Sequence, residues 1–197
     1  MTRNQIAQYL SPQGQRQIFR RLPTSQGTTG SEALDFRWRM DLIEFRMNPS
    51  KIGRETYKYI LVLVEVFSRQ AWAEPCKDKT PDAVEYNLRR MLAKFQKKPE
   101  VISTDKGNEW TSAVQDMLDA KGIIRRAKDP RDVNAIAVVD RVIQNLKTRL
   151  AESRSDVPGE WATRIKEVVA AYNETPHKTV HGEPSDGASV PDHTGQR

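Results

Sequence analysis

Cysteine and histidine are scarce in this chain, which has one cysteine, Cys76, and three histidines among 197 residues. A single cysteine cannot form an internal disulfide, and so few nitrogen and sulfur ligands argue against a structural zinc site. Long hydrophobic runs are also missing, since the longest, Tyr59 to Val64, stops at Glu65 and is far too short to cross a bilayer. The first residues contain no apolar segment of the kind found in secretory signals. These absences predict an intracellular protein with no membrane partner.

Positive charge is in moderate excess, because 32 Lys and Arg residues face 26 Asp and Glu residues for a net charge of +6. This balance favours a polyanionic partner such as nucleic acid. Hydrophobic residues make up 37% of the chain, which is enough for one core. The composition predicts a basic N-terminal arm and linker at 1–35, a folded core at 36–182 and a flexible C-terminal tail at 183–197.

Three strands joined by short turns are predicted in the first half of the core. They cover Phe36–Phe45, Tyr57–Phe67 and Ala71–Pro75, with a turn at Asn48–Gly53 between the first two. Strands in this order form an antiparallel meander. Asp41 lies in the middle of the first strand between two apolar residues, where a carboxylate without a partner is unfavourable.

Helices alternate with two further strands in the second half. Thr80 and Pro81 are typical of a helix start, and Gly122 is typical of the residue just after a helix. The predicted elements are a helix from Thr80, a strand at Val101–Asp105, a helix at Thr111–Ala120, a strand at Ile123–Ala127, an irregular segment at Asp129–Ala135 and helices at Ile136–Ser153 and Trp161–Tyr172. The whole order predicts an α/β fold with a mixed five-stranded sheet, three antiparallel strands followed by parallel ones, flanked by helices.

Three aspartates fall where this topology could bring them together. Asp41 lies on the first strand, Asp105 ends the fourth, and Asp140 lies near the start of the long helix, separated from Asp105 by the 34 positions 106–139. By itself, Asp105 before Lys106 and a glycine is also a common turn sequence. A set of carboxylate oxygens suits hard cations, Mg²⁺ or Mn²⁺, and a pair of such ions can activate the attacking oxygen and stabilise the leaving oxygen of a phosphodiester.

An ordered set of motifs resembles the catalytic core of retrovirus- and retrotransposon-type integrases over about residues 36–184. The motifs are Trp38-x-x-Asp41-Leu42-Ile43, Tyr59-Ile60-Leu61-Val62, Val66-Phe67-Ser68-Arg69, Thr104-Asp105-Lys106-Gly107-Asn108-Glu109-Trp110, Val138-Val139-Asp140 with Leu146-Lys147, and Ala171-Tyr172-Asn173-Glu174-Thr175-Pro176-His177. The resemblance implies a ribonuclease-H-like fold, and it implies trimming of donor DNA 3′ ends with water followed by attack of the 3′-OH on target DNA. It also implies assembly as dimers or higher oligomers on DNA ends, and a nuclear location.

The same resemblance assigns roles to individual residues. Asp41, Asp105 and Asp140 would be the catalytic and metal-binding residues for two Mg²⁺ or Mn²⁺ ions. The residues expected to contact DNA are Lys106, Arg131, Gln144 and Lys147. The family normally has glutamate at the third acidic position, and the aspartate found here is one methylene shorter, as in mariner-type transposases. Two alternatives therefore stay open: a catalytically silent descendant that binds DNA or protein, and a ribonuclease-H-like nuclease that cleaves without joining.

Overall fold

The computed structural model describes residues 34–127, 133–152 and 161–175, and for 133–139 it describes the helix but not the side chains. The predicted arm up to residue 33, the predicted tail and Arg131 lie outside the described residues. The strands are β1 (Arg37–Glu44), β2 (Ser50–Ile52), β3 (Glu55–Tyr57), β4 (Tyr59–Glu65), β5 (Ala71–Cys76), β6 (Val101–Thr104) and β7 (Ile124–Ala127). The helices are α1 (Pro81–Leu92), α2 (Ala113–Ala120), α3 (Val133–Glu152) and α4 (Trp161–Asn173), with a 3₁₀ turn at Asn108–Trp110 before α2. None of the described helices is long and apolar enough to cross a membrane.

Five strands form one mixed sheet in the order β5-β4-β1-β6-β7. Strand β4 pairs antiparallel with β1 and with β5, whereas β6 pairs parallel with β1 and with β7. The predicted α/β, ribonuclease-H-like architecture with three antiparallel strands followed by parallel ones is therefore confirmed. Strand β4 is buried along its whole length, as its continuous apolar run predicts for a strand covered on both faces.

Two hydrophobic layers cover the two faces of the sheet. Alternation along β1 sends Ile43 into the layer under α3 and α4, and it sends Trp38 and Met40 into the layer under α1 and α2. In the second layer Trp38 stacks on Trp72 with ring centroids 4.7 Å apart. Trp110 is completely buried in the same layer, whereas Trp161 packs in the layer under α3 and α4.

The helix boundaries follow the sequence signals closely. The Thr80 side chain accepts a hydrogen bond from the backbone N–H of Ala83 at the start of α1. At the end of α2, Gly122 adopts a φ of +69°, and the N–H groups of Gly122 and Ile123 donate to the carbonyls of Asp119 and Leu118. This pattern is a Schellman motif, which explains why glycine follows the helix.

Two predictions of local structure were wrong. The segment read as a turn at Asn48–Gly53 holds strand β2, which pairs with β3 around Gly53 at a φ of +59°, so the predicted strand Tyr57–Phe67 is interrupted at Lys58. The segment read as irregular at 129–135 is helical from Val133 onward. No proline or glycine occurs between 131 and 152, so nothing in the sequence prevents the helix from starting before Ile136, its predicted first residue.

The end of α4 is tied to the outermost strand of the sheet. The side-chain amide of Asn173 accepts from the N–H of Ala71 and donates to the carbonyl of the same residue, both at 2.9 Å. The hydroxyl of Tyr172 also donates to the carbonyl of Arg69 in the β4–β5 turn. These contacts hold α4 in register with β5 over one face of the sheet.

Candidate active site

Asp41 and Asp105 lie side by side on neighbouring strands. In the parallel pairing of β1 with β6, Arg37 lies opposite Val101 and Arg39 opposite Ser103, an offset of 64 residues. Continued along β1, that offset places Asp41 level with Asp105, directly after the end of β6. Because side chains alternate along strands, both aspartates share the face that also carries Ile43, under α3 and α4.

Helix α3 brings the third acid to this face. Its buried residues Val142 and Leu146 pack in the layer that contains Ile43, and Asp140, two positions before Val142, is exposed. The negative charges of Asp105 and Asp140 both raise the pKa of Asp41. The three aspartates named from the sequence are therefore electrostatic neighbours.

The pKa of Asp41 is raised in the folded chain. Burial is the main reason that its pKa rises from 3.8 to about 6, and the charges of Asp105 and Asp140 add to the rise. A hydrogen bond of 2.8 Å from the backbone N–H of Leu42 to Oδ1 and the positive charge of Arg39 act in the opposite direction. The ionised form of Asp41 is disfavoured by burial and by two neighbouring negative charges, and a bound cation would stabilise it.

Asp105 is held by its own loop. Oδ1 accepts hydrogen bonds from the backbone N–H of Gly107 at 3.0 Å and from the indole Nε1 of Trp110. These donors fix Oδ1, and Oδ2 is the atom that could turn toward a cation. The sequence did not identify the role of Trp110, because the four residues that separate it from Asp105 contain no local pattern that predicts the contact.

The donor set of three carboxylates fits a hard divalent cation. Within the described residues, no three His, Cys, Asp or Glu side chains lie close enough together to hold a metal ion. Coulomb coupling between Asp41 and its two neighbours extends over several ångströms, whereas a metal–oxygen bond needs about 2.0–2.2 Å. Both observations hold if Asp41 and Asp140 change rotamer to close around an ion, while Asp105 keeps its hydrogen bonds to Gly107 and Trp110.

Three candidate DNA-contacting residues lie on the surface near these acids. Lys106 follows Asp105 directly and is exposed. Gln144 and Lys147 are exposed on α3, four and seven residues after Asp140, so they lie along the same side of the helix. Arg131, the fourth candidate, is outside the described residues.

Solved structures with the same fold belong to integrases. The HTLV-2 integrase catalytic core domain in complex with magnesium, in a trimeric form, matches 81% of this chain and 99% of its own chain with a TM-score of 0.63 and 16% identity. A chain of the simian T-cell lymphotropic virus intasome, solved in complex with PP2A regulatory subunit B56 gamma, matches 87% of this chain and 62% of its own with a TM-score of 0.68 and 19% identity. At these identities the likeness defines the fold, that of an integrase catalytic core.

Sequence comparison identifies the family. Residues 35–133 match the integrase core domain, and the chain belongs to that family. The Gag-Pol polyprotein of avian reticuloendotheliosis virus is 27% identical over 140 residues, which are 71% of this chain. The chain spans only 12% of the length of that polyprotein. The family match includes Asp41 and Asp105 but ends before Asp140, so the third acid rests on the sequence pattern and the electrostatics alone.

Proposed function

We propose that this chain is the catalytic core of a mobile-element integrase that carries out divalent-metal-dependent 3′-end processing and DNA strand transfer. The observation that carries the proposal is the parallel register of β1 with β6, which places Asp41 level with Asp105. The charges of Asp105 and Asp140 also act on Asp41, whose pKa is raised mainly by burial. Phosphoryl transfer by two metal ions requires acids that can close around the ions, and Asp41, Asp105 and Asp140 are the acids we assign to that part. Membership of the integrase core family supports the same reading.

Each acid has a part that follows from its position. Asp41, fixed on the central strand β1, and Asp105, fixed at the end of β6, would be shared ligands of two Mg²⁺ or Mn²⁺ ions, and Asp140 would complete one site from α3. When bound, the ions supply activation of the attacking oxygen and stabilisation of the leaving oxygen. Lys106, Gln144 and Lys147 would bind DNA phosphates or base edges and orient the strand.

Partners and location follow from this activity. The substrates would be the DNA ends of the element and the target DNA, which the net charge of +6 favours. Two ends must be joined together, so we expect self-association as a dimer or a higher oligomer. Work on host chromosomes would place the protein in the nucleus.

A catalytically silent DNA- or protein-binding role is the second candidate. It is favoured by aspartate at the third position and by the absence of an assembled three-carboxylate group among the described residues. A plain nuclease, which cleaves without joining, is the remaining alternative.

A strand-transfer assay separates these readings. The purified chain is incubated with a 3′-recessed duplex, a target plasmid and 10 mM Mg²⁺ or Mn²⁺, with EDTA as the metal-free control. Joined products support the proposal, cleaved products alone support a nuclease, and DNA binding without either product supports the silent role. Asp41→Asn and Asp105→Asn should abolish product while leaving the chain folded, and an active Asp41→Asn variant would overturn the metal-site assignment.

Asp140→Glu tests the third position directly. If the shorter side chain limits closure around the ions, the added methylene should raise the rate of strand transfer. If the backbone of α3 is fitted to aspartate, the same variant should lower the rate by up to about 100-fold, because misplacement of a catalytic group by about 1 Å has that cost. Asp140→Asn should remove activity in either case, and retained activity would exclude Asp140 from the site.

A further inference from the structure

Trp110 occupies a place that connects the candidate site to the opposite hydrophobic layer. Its indole ring is completely buried among residues under α1 and α2, such as Val114 and Leu118, on the face of the sheet away from Asp140. Its Nε1 nevertheless donates to Oδ1 of Asp105, which also accepts from the N–H of Gly107. A rigid core residue therefore sets the direction of a candidate metal ligand.

We infer that Trp110 is a positioning residue that orients the Asp105 carboxylate for the divalent cation. The inference rests on the proposed function, because it assumes that Asp105 is a metal ligand. A donor bonded to Oδ1 leaves Oδ2 for the cation and removes the rotational freedom that binding would otherwise have to take away. Loss of such an outer contact typically weakens metal affinity or activity by 10- to 100-fold.

The chain contains a matched control for this role. Trp38 is as deeply buried as Trp110 and belongs to the same hydrophobic layer, but among the described residues its Nε1 has no hydrogen-bond partner. Trp110→Phe and Trp38→Phe therefore remove similar volumes from one core. Only Trp110→Phe also removes a donor from Asp105.

The first test is the Mg²⁺ dependence of strand transfer. Trp110→Phe should raise the half-saturating Mg²⁺ concentration about tenfold or more, with much of kcat recovered at saturating Mg²⁺ and little change in KM for DNA. Trp38→Phe should change the half-saturating concentration by less than about twofold, although it loses stability to a similar degree. Equal effects in the two variants would mean that only packing is involved and would overturn the inference.

The second test needs neither turnover nor a Trp110 variant. The four tryptophans give four indole N–H signals in a ¹H–¹⁵N spectrum, and the signal of Trp110 is assigned by elimination with Trp38→Phe, Trp72→Phe and Trp161→Phe. On titration with Mg²⁺ the Trp110 signal should shift. The Trp161 signal should not, because that indole donates to the backbone carbonyl of Asn48 at 2.7 Å.

The two tests separate failure of the inference from failure of the proposed function. A wild-type chain that joins no DNA at any Mg²⁺ concentration contradicts the proposed function, and the spectrum still decides the role of Trp110. A Trp110 signal that stays in place, or that moves no more than that of Trp161, overturns the positioning role even if the chain is active.

Discussion

Replacement of Asp41 by asparagine should stabilise the fold while removing activity. Asp41 has a pKa of about 6 in the folded chain against 3.8 for an exposed aspartate. Between these values the folded state holds the proton that the unfolded state has lost, so the free energy of unfolding falls as the pH rises from about 4 to above 6. Above both values the full difference of about 2 pKa units corresponds to at most about 3 kcal/mol, at 1.36 kcal/mol per unit.

Asparagine does not titrate in this range, and its Oδ1 can still accept from the N–H of Leu42. We therefore expect Asp41→Asn to increase the free energy of unfolding by about 1–3 kcal/mol at pH 8, where solvent access at this half-buried residue reduces the upper figure. At pH 5 the gain should be about half as large, since the wild-type folded carboxyl is then mostly protonated.

Urea denaturation at pH 5 and pH 8, without metal and at constant ionic strength, measures both values through the midpoint shift. Asp116→Asn, at an exposed aspartate of α2, is a suitable control and should change stability by less than about 1 kcal/mol at both values. Addition of Mg²⁺ should stabilise the wild type but not Asp41→Asn, because a bound ion removes the charge repulsion. The reasoning is refuted if Asp41→Asn is less stable than wild type at pH 8, or if the gain is the same at both pH values.

Three further predictions concern the scaffold and are checked by the same denaturation measurement. Asn173→Ala should lower the free energy of unfolding by about 2 kcal/mol, because it leaves the N–H and the carbonyl of Ala71 without the side-chain amide. Asn173→Asp, which keeps only the acceptor, should also destabilise the fold. An unchanged midpoint for Asn173→Ala would contradict the contact. Gly122→Ala should cost about 1 kcal/mol or more from its φ of +69° alone, since no atom lies within 4 Å of the added methyl, and a neutral effect would mean that the helix end rearranges easily. Leu63→Ala, at a completely buried site in β4, should cost about 2–5 kcal/mol, and a loss below 1 kcal/mol would show that the layer collapses into the cavity.

Sequence patterns were sufficient for the meander and for the class of sheet, because the apolar run of β4, the turn after it and the alternation in β1 determine the first three strands. Whether the strand that ends at Asp105 lies beside β1 was left open by the sequence, and the structure places it there. The match between Asp41 and Asp105 then follows from the parallel register. The family match includes both residues.

Other features could not be predicted because they depend on contacts between distant segments or on weak local signals. The strands β2 and β3 have three residues each and are mostly exposed, so no hydrophobic alternation marks them. The hydrogen bond from Trp110 requires the 3₁₀ turn at Asn108–Trp110, and a buried tryptophan near a strand end usually indicates packing alone. No local pattern in the sequence shows whether the carboxylate of Asp140 can reach the same ion as Asp41 and Asp105, because its side chain is one methylene shorter than the glutamate usual in the family.

The side-chain amide of Asn173 also affects whether a second molecule can add a strand to the sheet at β5. By bonding both polar groups of Ala71, it imitates the peptide unit of a sixth strand at that point of β5. A foreign chain that tried to extend the sheet there would first have to displace α4, so aggregation by strand addition is discouraged on this border of the molecule. Association of copies must then use side chains or the opposite border, where β7 lies.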